Sequence, residues 1–540
     1  MTQSTAVIRI NQEGYAPGLP VQVAVLTGTP LKLKNAAEQE IDVPPYPAPS
    51  FDAASGDEVT LVNLGTLQPG TYTLEAGGER RRLTVREHPW NTVTDALIKG
   101  LYFQRCGCEL LPEHAGVYTH PACHTAPALD WENRSLSRRV PGGWHDAGDY
   151  GKYVGPGAVT AGHMLYAWKL FPRGCSRDLN IPETGNGVPD ILNEARYELE
   201  WILQMQREDG AFHHKLTKAH FAPFIMPQDD REQEYLMPVA HCATAAACAA
   251  LALGARTYRA FDADFAGKML DAARRGWEWL QAHPDFVAYQ NPEGVRTGGY
   301  SEPTDKDDRF WAACELYAST GQEEYREAAE KLYAEGQHLT QFGWADVGGM
   351  GALCCLFDLK EKAGKILFDD LREAFLKQSE GLPALCRKSG YGTALPEYLY
   401  IWGSILPILG NAMAMIMNSL LTGSRDMRDA ALVQWHYALG LNALDTCFVT
   451  GYGEHPVMHP HHRPSGADGV EDPVPGLISG GPNKSHRMPM TREKLGEDLP
   501  PAKYFADETF SADTNEIAIY WNSPAIFTGA YFCTISDTNV

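Results

Sequence analysis

The chain has 540 residues, of which 44% are hydrophobic, 21% charged and 10% aromatic, with 12 cysteines and a formal charge of -22. That apolar fraction suits a globular protein with a large core, and at about 150 residues per domain the length suggests roughly three domains, or one large domain with a smaller attachment. The 68 acidic against 46 basic residues argue against nucleic acid or an anionic membrane as partner, since both need basic surface, and favour a neutral substrate.

The first residues, Met1–Val7, show no basic region followed by an apolar run, so no secretory leader is expected. No stretch approaches about 18 uninterrupted apolar residues, so no membrane span is expected either. Cys242, Cys248, Cys314, Cys354 and Cys355 lie in Ala- and Leu-rich helical surroundings, where free thiols behave as small hydrophobes. That usage fits a reducing compartment, so a cytoplasmic protein is expected, with a secreted protein trimmed of its leader as the alternative.

Along residues 1–88, short β-rich runs recur at Val7–Ile10, Val21–Leu26, Glu58–Val62, Thr71–Glu75 and Arg82–Val85. Gly, Pro and Asn punctuate them, which predicts a small all-β sandwich. From Asn91 the period changes: Leu192, Ala195, Leu199, Ile202 and Leu203 form one apolar stripe at helical spacing. Similar patterns span 92–106, 157–171, 239–260, 264–282, 308–319, 322–334, 362–377, 400–421 and 425–440. Roughly a dozen helices with no convincing strands between them predict an all-α domain over residues 89–540, built as stacked helical hairpins or an α/α barrel.

The first concentration of polar chemistry combines Cys106, Cys123, His124 and His145, the residue types of a closed structural zinc site. Their spacing does not follow zinc-finger arithmetic, and Cys108 competes with Cys106 as first ligand. Next comes Gly142-Gly143-Trp144-His145-Asp146-Ala147-Gly148-Asp149-Tyr150. Two carboxylates three residues apart among glycines predict a tight loop aiming both Asp side chains into one site; the competing reading is a solvated Asx-type turn. Two oxygen-rich segments suggest calcium. Glu183, Asn186 and Asp190 surround a glycine turn, where a capped loop before a helix is the alternative. Ser301–Asp308 gathers Glu302, Asp305, Asp307 and Asp308, which a solvated charge run would equally produce. Near the end, Glu516 opens an apolar run in Asp513–Pro524; desolvation there would raise its pKa and keep it protonated as an acid, whereas a helix-start Glu favoured by the dipole is the plainer reading.

The Trp144–Tyr150 loop resembles the aspartate motif of glycoside hydrolase family 9, the inverting cellulases with an (α/α)6 barrel. His461-His462-Arg463 and Asn515-Glu516 resemble that family's other two signatures, in the same order, and residues 1–88 resemble the immunoglobulin-like module that precedes the barrel in one subgroup. The resemblance implies a β-1,4-glucan substrate. Asp149 would be the general base, Asp146 a second carboxylate holding the attacking water, and Glu516 the general acid. An inverting hydrolase keeps its two carboxyls roughly 6.5–9.5 Å apart so that water fits between base and sugar. His461 and Arg463 would line the subsite before the cleaved bond, Trp402 would stack on a glucose ring, and Trp344, Tyr300 and Tyr520 are further substrate-contact candidates. It also selects Cys106 over Cys108 as zinc ligand, supports both calcium segments, and adds Thr304 and Asp346 to the second. The chain departs from the family pattern at Cys447, His455 and Ala512, which bears on subsite preference.

The expectation is therefore a monomeric, intracellular, inverting endo-1,4-β-glucanase acting on soluble glucans or cello-oligosaccharides, with structural zinc and two structural calcium ions. An exo-acting relative releasing glucose or glucosamine is the enzymatic alternative. A noncatalytic sugar-binding protein fits poorly with the retention of Asp146, Asp149 and Glu516. A zinc hydrolase ranks last, because four protein ligands leave no open position for water.

Overall fold

The computed structural model describes residues 6–485 and 487–536; the segment Met1–Thr5, part of the stretch assessed for a leader, lies outside them, as do residues 537–540. The chain begins as two facing four-stranded sheets. One has the order β1-β2-β6-β5 (Ile8–Arg9, Gln22–Val25, Asp57–Asn63, Ser50–Asp52) and the other β4-β3-β7-β8 (Glu40–Ile41, Lys32–Lys34, Gly70–Ala76, Glu79–Val85). Alternation explains the faces: in β7, Tyr72, Leu74 and Ala76 point inward while Thr71, Thr73 and Glu75 are partly exposed. Val23, Val25, Val62, Leu33, Leu74 and Leu83 close the sandwich core. Strands β3, β4 and β5 were not anticipated; they are two or three residues long and lack a clear alternation.

The remainder is a barrel of paired helices. Twelve long helices among the described residues are α1 (Asn91–Phe103), α2 (Val154–Leu170), α3 (Asp190–Gln204), α4 (His241–Tyr258), α5 (Ala263–Ala282), α6 (Lys306–Thr320), α7 (Glu323–Ala334), α8 (Gly348–Leu353, extended by π-helical turns to Leu359), α9 (Leu371–Ser379), α10 (Ile405–Thr422), α11 (Arg425–Ala438) and α12 (Ile519–Ser536). The even-numbered helices pack side by side as an inner ring, with α12, α2, α4, α6 and α8 in succession and α10 against α12, and odd-numbered partners cover them from outside. This is the (α/α)6 arrangement.

Three features differ from expectation. Helices α8 and α12 carry no amphipathic signature because they are buried almost all round, so there is no polar face to set a period. Between helices the chain forms a five-stranded sheet, ordered β10-β9-β13-β12-β11, from Ala128–Asp130 (β9), Ser137–Arg138 (β10), Lys152–Tyr153 (β11), Lys215–Thr217 (β12) and Tyr235–Leu236 (β13); strands this short leave no pattern. Finally, α10 is long and apolar enough by composition to cross a membrane, although Asn411, Asn418 and Ser419 interrupt its apolar run; its place in the inner ring, 61% buried, accounts for that apolarity.

The two parts are joined by buried contacts. Ala16, Leu19, Ala24 and Val59 of the sandwich belong to the barrel's apolar core. Arg81 on β8 donates to Asp445 Oδ1 at 2.7 Å, Asn11 donates to His436 Nδ1 at 2.8 Å, and Trp90 Nε1 donates to the Gly14 carbonyl at 3.1 Å.

Candidate active site

A cleft of about 760 Å3 opens at one end of the barrel, and Asp146, Asp149 and Glu516 all line it. The two aspartates lie just before α2, and Glu516 lies just before α12. The Asp146 loop is stapled from below: Cys106 N donates to the Gly143 carbonyl and His145 N to that of Gln104, at 2.8 and 2.7 Å. The Gln104 amide donates to the carbonyls of His145 and Ala147, both at 3.0 Å, and His462 Nε2 donates to Gln104 Oε1 at 2.9 Å. Trp144 is anchored by Glu198, which accepts from its backbone at 2.7 Å, and by Glu194, which accepts from its indole at 2.8 Å. The loop and the acid segment then tie together through Ile519 N to Asp146 O, at 2.9 Å. Glycine is required at 148 because a Cβ there would collide with the His461 carbonyl.

Burial pushes the Glu516 carboxyl up to about 8, and the nearby charge of Asp149 adds to this, while Arg463 and the Trp402 indole oppose it. The indole Nε1 donates to Glu516 Oε2 at 3.2 Å. Asp149 is also raised by burial, but the Arg463 guanidinium, the Gly151 N–H and Lys215 hold it down. Asp146 is raised well above the usual carboxylate range by burial, against a hydrogen bond from Tyr300. Tyr300 Oη donates to Asp146 Oδ2 and sits 3.1 Å from Tyr520 Oη. Asp146 Oδ1 is buried without a protein partner.

Every predicted substrate-contact residue lines the cleft: His461, Arg463, Trp402, Trp344, Tyr300 and Tyr520. Their roles divide. Trp402 is 38% exposed and available for stacking. Tyr300 is boxed edge-on by Tyr153, Trp344 and Tyr520, so its ring packs while its hydroxyl serves Asp146. Arg463 donates to the carbonyls of Gly148 and Ala222, both at 2.8 Å, and His461 Nδ1 to that of Thr509 at 2.6 Å. Burial lowers the His461 pKa to about 4, leaving it neutral. Sequence reasoning missed Phe221 and Phe224, which flank Arg463 at 5.9 and 5.4 Å, and Lys215; the closely spaced aromatics of Phe221-Ala222-Pro223-Phe224 were the available signal. Of the three departures from the family pattern, Ala512 lines the cleft. Cys447 is buried, and His455 faces Asp445 at 3.2 Å, beside the sandwich.

Cys106, Cys123, His124 and His145 converge, their ligand atoms all within 4.8 Å of one another. His124 Nδ1 and His145 Nε2 are buried without partners, as nitrogens facing a metal would be, and His124 Nε2 is held by Asp230 Oδ2 at 3.3 Å, the outer-shell arrangement typical of a ligating histidine. This donor set fits tetrahedral zinc. Cys108 lies outside the cluster.

Around the first calcium segment, the Asn193 amide donates to Asn186 Oδ1, Val188 O and Asp190 Oδ1, at 3.2, 3.0 and 3.3 Å, while Glu183 is engaged by Arg105 at 2.9 Å. These oxygens have partners within the protein. In the second segment Glu302 and Asp308 come together with Cys242, an unanticipated neighbour, and Glu302 Oε2 and Asp308 Oδ2 are buried without partners. Burial and mutual repulsion push Glu302 up to about 9. Asp307 accepts from Val347 N at 2.8 Å, and Asp346 pairs with His338 at 2.6 Å; Thr304 O lies 3.3 Å from the Cys242 thiol, and Asp305 pairs with Arg309 at 2.6 Å.

Residues 90–529 match the family described as glycosyl hydrolase family 9, and residues 3–81 match the cellulase N-terminal ig-like domain. The chain belongs to glycoside hydrolase family 9. This family 9 enzyme is a glycoside hydrolase of the endo-1,4-β-glucanase type. It is 35% identical over 495 residues to a cellodextrinase of Butyrivibrio fibrisolvens, covering 88% of this chain and 90% of that protein. It is 32% identical to endoglucanase D of Acetivibrio thermocellus, covering 97% of this chain and 83% of that one. Among solved structures, a single-mutant thermostable endoglucanase from Alicyclobacillus acidocaldarius superimposes with a TM-score of 0.90 at 32% identity, covering 97% of this chain and 99% of that one. A zinc-binding triple mutant of the family 9 endoglucanase J30 superimposes with a TM-score of 0.89 at 29% identity, covering 95% and 98%.

Proposed function

We propose that the protein inverts configuration as it hydrolyses β-1,4-linked glucans, acting on soluble glucans and cello-oligosaccharides. The observation that carries this is the split environment of two carboxyls in one cleft. Glu516 is kept protonated by burial, while Asp149 is opposed in its burial by Arg463 and a backbone N–H. Glu516 then protonates the departing glycosidic oxygen, and the Trp402 indole fixes its Oε2 so that the other oxygen can carry the proton. Asp149 removes a proton from the attacking water, and the unpartnered Oδ1 of Asp146 gives that water a second hydrogen-bonding partner. Arg463 and neutral His461 bind sugar hydroxyls. A short, soluble substrate is supported by the likeness to a cellodextrinase and by a cleft lined by Trp402, Trp344 and Phe221.

The four-ligand site would hold zinc as a structural ion, fixing the backbone on which Asp146 stands; zinc supplies no step of the reaction. A calcium ion at Glu302 and Asp308 would neutralise their repulsion. The stereochemistry is the deciding experiment: proton NMR during early hydrolysis of cellotetraose should show the α-anomer of the newly formed reducing end. A β-anomer appearing first refutes the mechanism.

A further inference from the structure

Lys215, on strand β12, is an ammonium buried to 0% exposure, and the reaction as described makes no use of it. Its Nζ donates to Asn291 Oδ1 at 2.7 Å, Thr297 Oγ1 at 3.0 Å and the Gly298 carbonyl at 2.6 Å. All three protons are therefore directed at one segment, 291–298. That segment leads directly into Tyr300, whose backbone is held at a φ of 42°, in the left-handed region that costs a non-glycine residue energy and persists only when its surroundings impose it. A second tie acts beside the first, because His214 Nε2 donates to the Gly299 carbonyl at 2.8 Å. On its other side β12 pairs with β11, with Lys215 opposite Tyr153, and β11 follows Asp149 after two residues. The Nζ lies 5.5 Å from the Tyr153 ring centroid, and that ring stands 4.6 Å from the ring of Tyr300.

We infer that Lys215 is a positioning residue for this reaction: it ties the Tyr300 segment to the strand behind the Asp149 loop and, with Arg463, supplies the positive charge against which Asp149 works as a carboxylate. The inference rests on Asp149 being the general base. The charged and titratable groups around the ammonium are Asp149 from the catalytic loop, Tyr153 from β11, Tyr289 from the segment facing β12, and the neighbouring His214, which burial keeps neutral. Asp149 in turn faces Arg463, Lys215, Asp146, Glu516 and Tyr153. Two cations thus stand against a group of three carboxyls, and removing either favours proton uptake by the base. The mutual effect runs both ways: burial lowers the Lys215 pKa to about 7, and Asp149 is the group that raises it.

The test is the pH profile of kcat/KM on cellotetraose, whose acid limb reports the base in the free enzyme. Lys215→Met removes the charge. Asn291→Asp keeps the size and the oxygen that accepts from Lys215, loses the amide's own bond to the Thr297 carbonyl at 2.6 Å, and places a carboxylate beside the ammonium that cancels its field. In both variants the acid limb should move to higher pH by about 1 unit, so that activity on that limb falls roughly tenfold, with kcat affected more than KM. An acid limb unchanged in both overturns the inference; should Lys215→Met not fold, Asn291→Asp decides alone. Asp149→Asn, assayed in parallel, separates the two levels. If it keeps wild-type turnover, the base assignment is wrong; if it is inactive while the limb stays in place, the role of Lys215 alone is wrong.

Discussion

Glu516 and Asp149 share a cleft but not an environment, and in the proposed mechanism that difference should set the pH range of the enzyme. With its pKa raised by burial to about 8, Glu516 is roughly nine-tenths protonated at neutral pH. Since Glu516 must carry its proton to act as the proposed general acid, kcat should decline as pH rises through about 8. Glu516→Gln keeps the size and the contact with Trp402 but cannot donate to the leaving group, so kcat should fall by about 10²–10⁴-fold while cellotetraose binding, followed by calorimetry, stays within a few-fold. Stability should move the other way. The folded pKa lies above the unfolded one, so the protonated carboxyl contributes stability in full below the unfolded value of about 4.5, and this is lost as pH rises through about 8. Gln has no charge to bury, so the variant should melt no lower than the wild type at pH 8.5. A lower melting temperature there, or a basic limb unaltered by a conservative change around Glu516, would count against a buried, protonated acid.

At the scale of the element, the loop Gly142–Tyr150 is shaped by what lies beneath it. His145 belongs to the Cys106, Cys123, His124 cluster proposed to hold zinc and precedes Asp146 directly, so whatever holds the imidazole would hold the backbone of that carboxylate. Cys123→Ser, or dialysis against a strong chelator, should lower the melting temperature and reduce kcat with little change in KM, and zinc should restore both in the wild type. Retention of melting temperature and activity after the metal is stripped would sink this role. The loop was legible in the sequence because its glycines, paired aspartates and following motifs are local signals, as was the outer helix α3, whose apolar stripe faces the barrel core. Helix α12 was not, because it is surrounded by other helices and its residues are apolar in every direction; even its internal Pro524 reads as a break. Nor was the position of Lys215, which depends on pairing between strands of two and three residues. Tyr300 is a substrate-contact candidate by sequence, yet its hydroxyl meets Asp146 because the 291–300 segment reaches the cleft. Contacts between loops distant in sequence leave no periodic trace.

In the whole molecule the cleft lies where the loops leading into the inner helices meet. Asp149 precedes α2, Phe221 precedes α4, Tyr300 precedes α6, Trp344 precedes α8, Trp402 precedes α10 and Glu516 precedes α12. Six hairpins each contribute one loop, so the geometry of the site depends on the barrel staying closed. The sandwich bears on that closure. It covers α11 and the loop after it through Asn11 to His436, Gln12 N to Leu439 O at 2.9 Å and Arg81 to Asp445, and its Ala16, Leu19, Ala24 and Val59 complete the barrel's core. Removing residues 1–88 would bare this apolar surface along with the Trp90 indole and the carboxylate of Asp445, which is buried and held in the left-handed region at a φ of 56°. The truncated barrel should therefore aggregate on size-exclusion chromatography and bind a hydrophobic dye. Arg81→Met tests the same interface in the full chain: withdrawing one donor from a buried carboxylate costs about 1–3 kcal/mol, so chemical unfolding should begin at lower denaturant while kcat, measured below that point, stays at the wild-type level because Arg81 is remote from the cleft. A truncated barrel that remains monomeric and fully active would show that the sandwich is dispensable to the barrel, and that its contacts serve only to hold the two parts side by side.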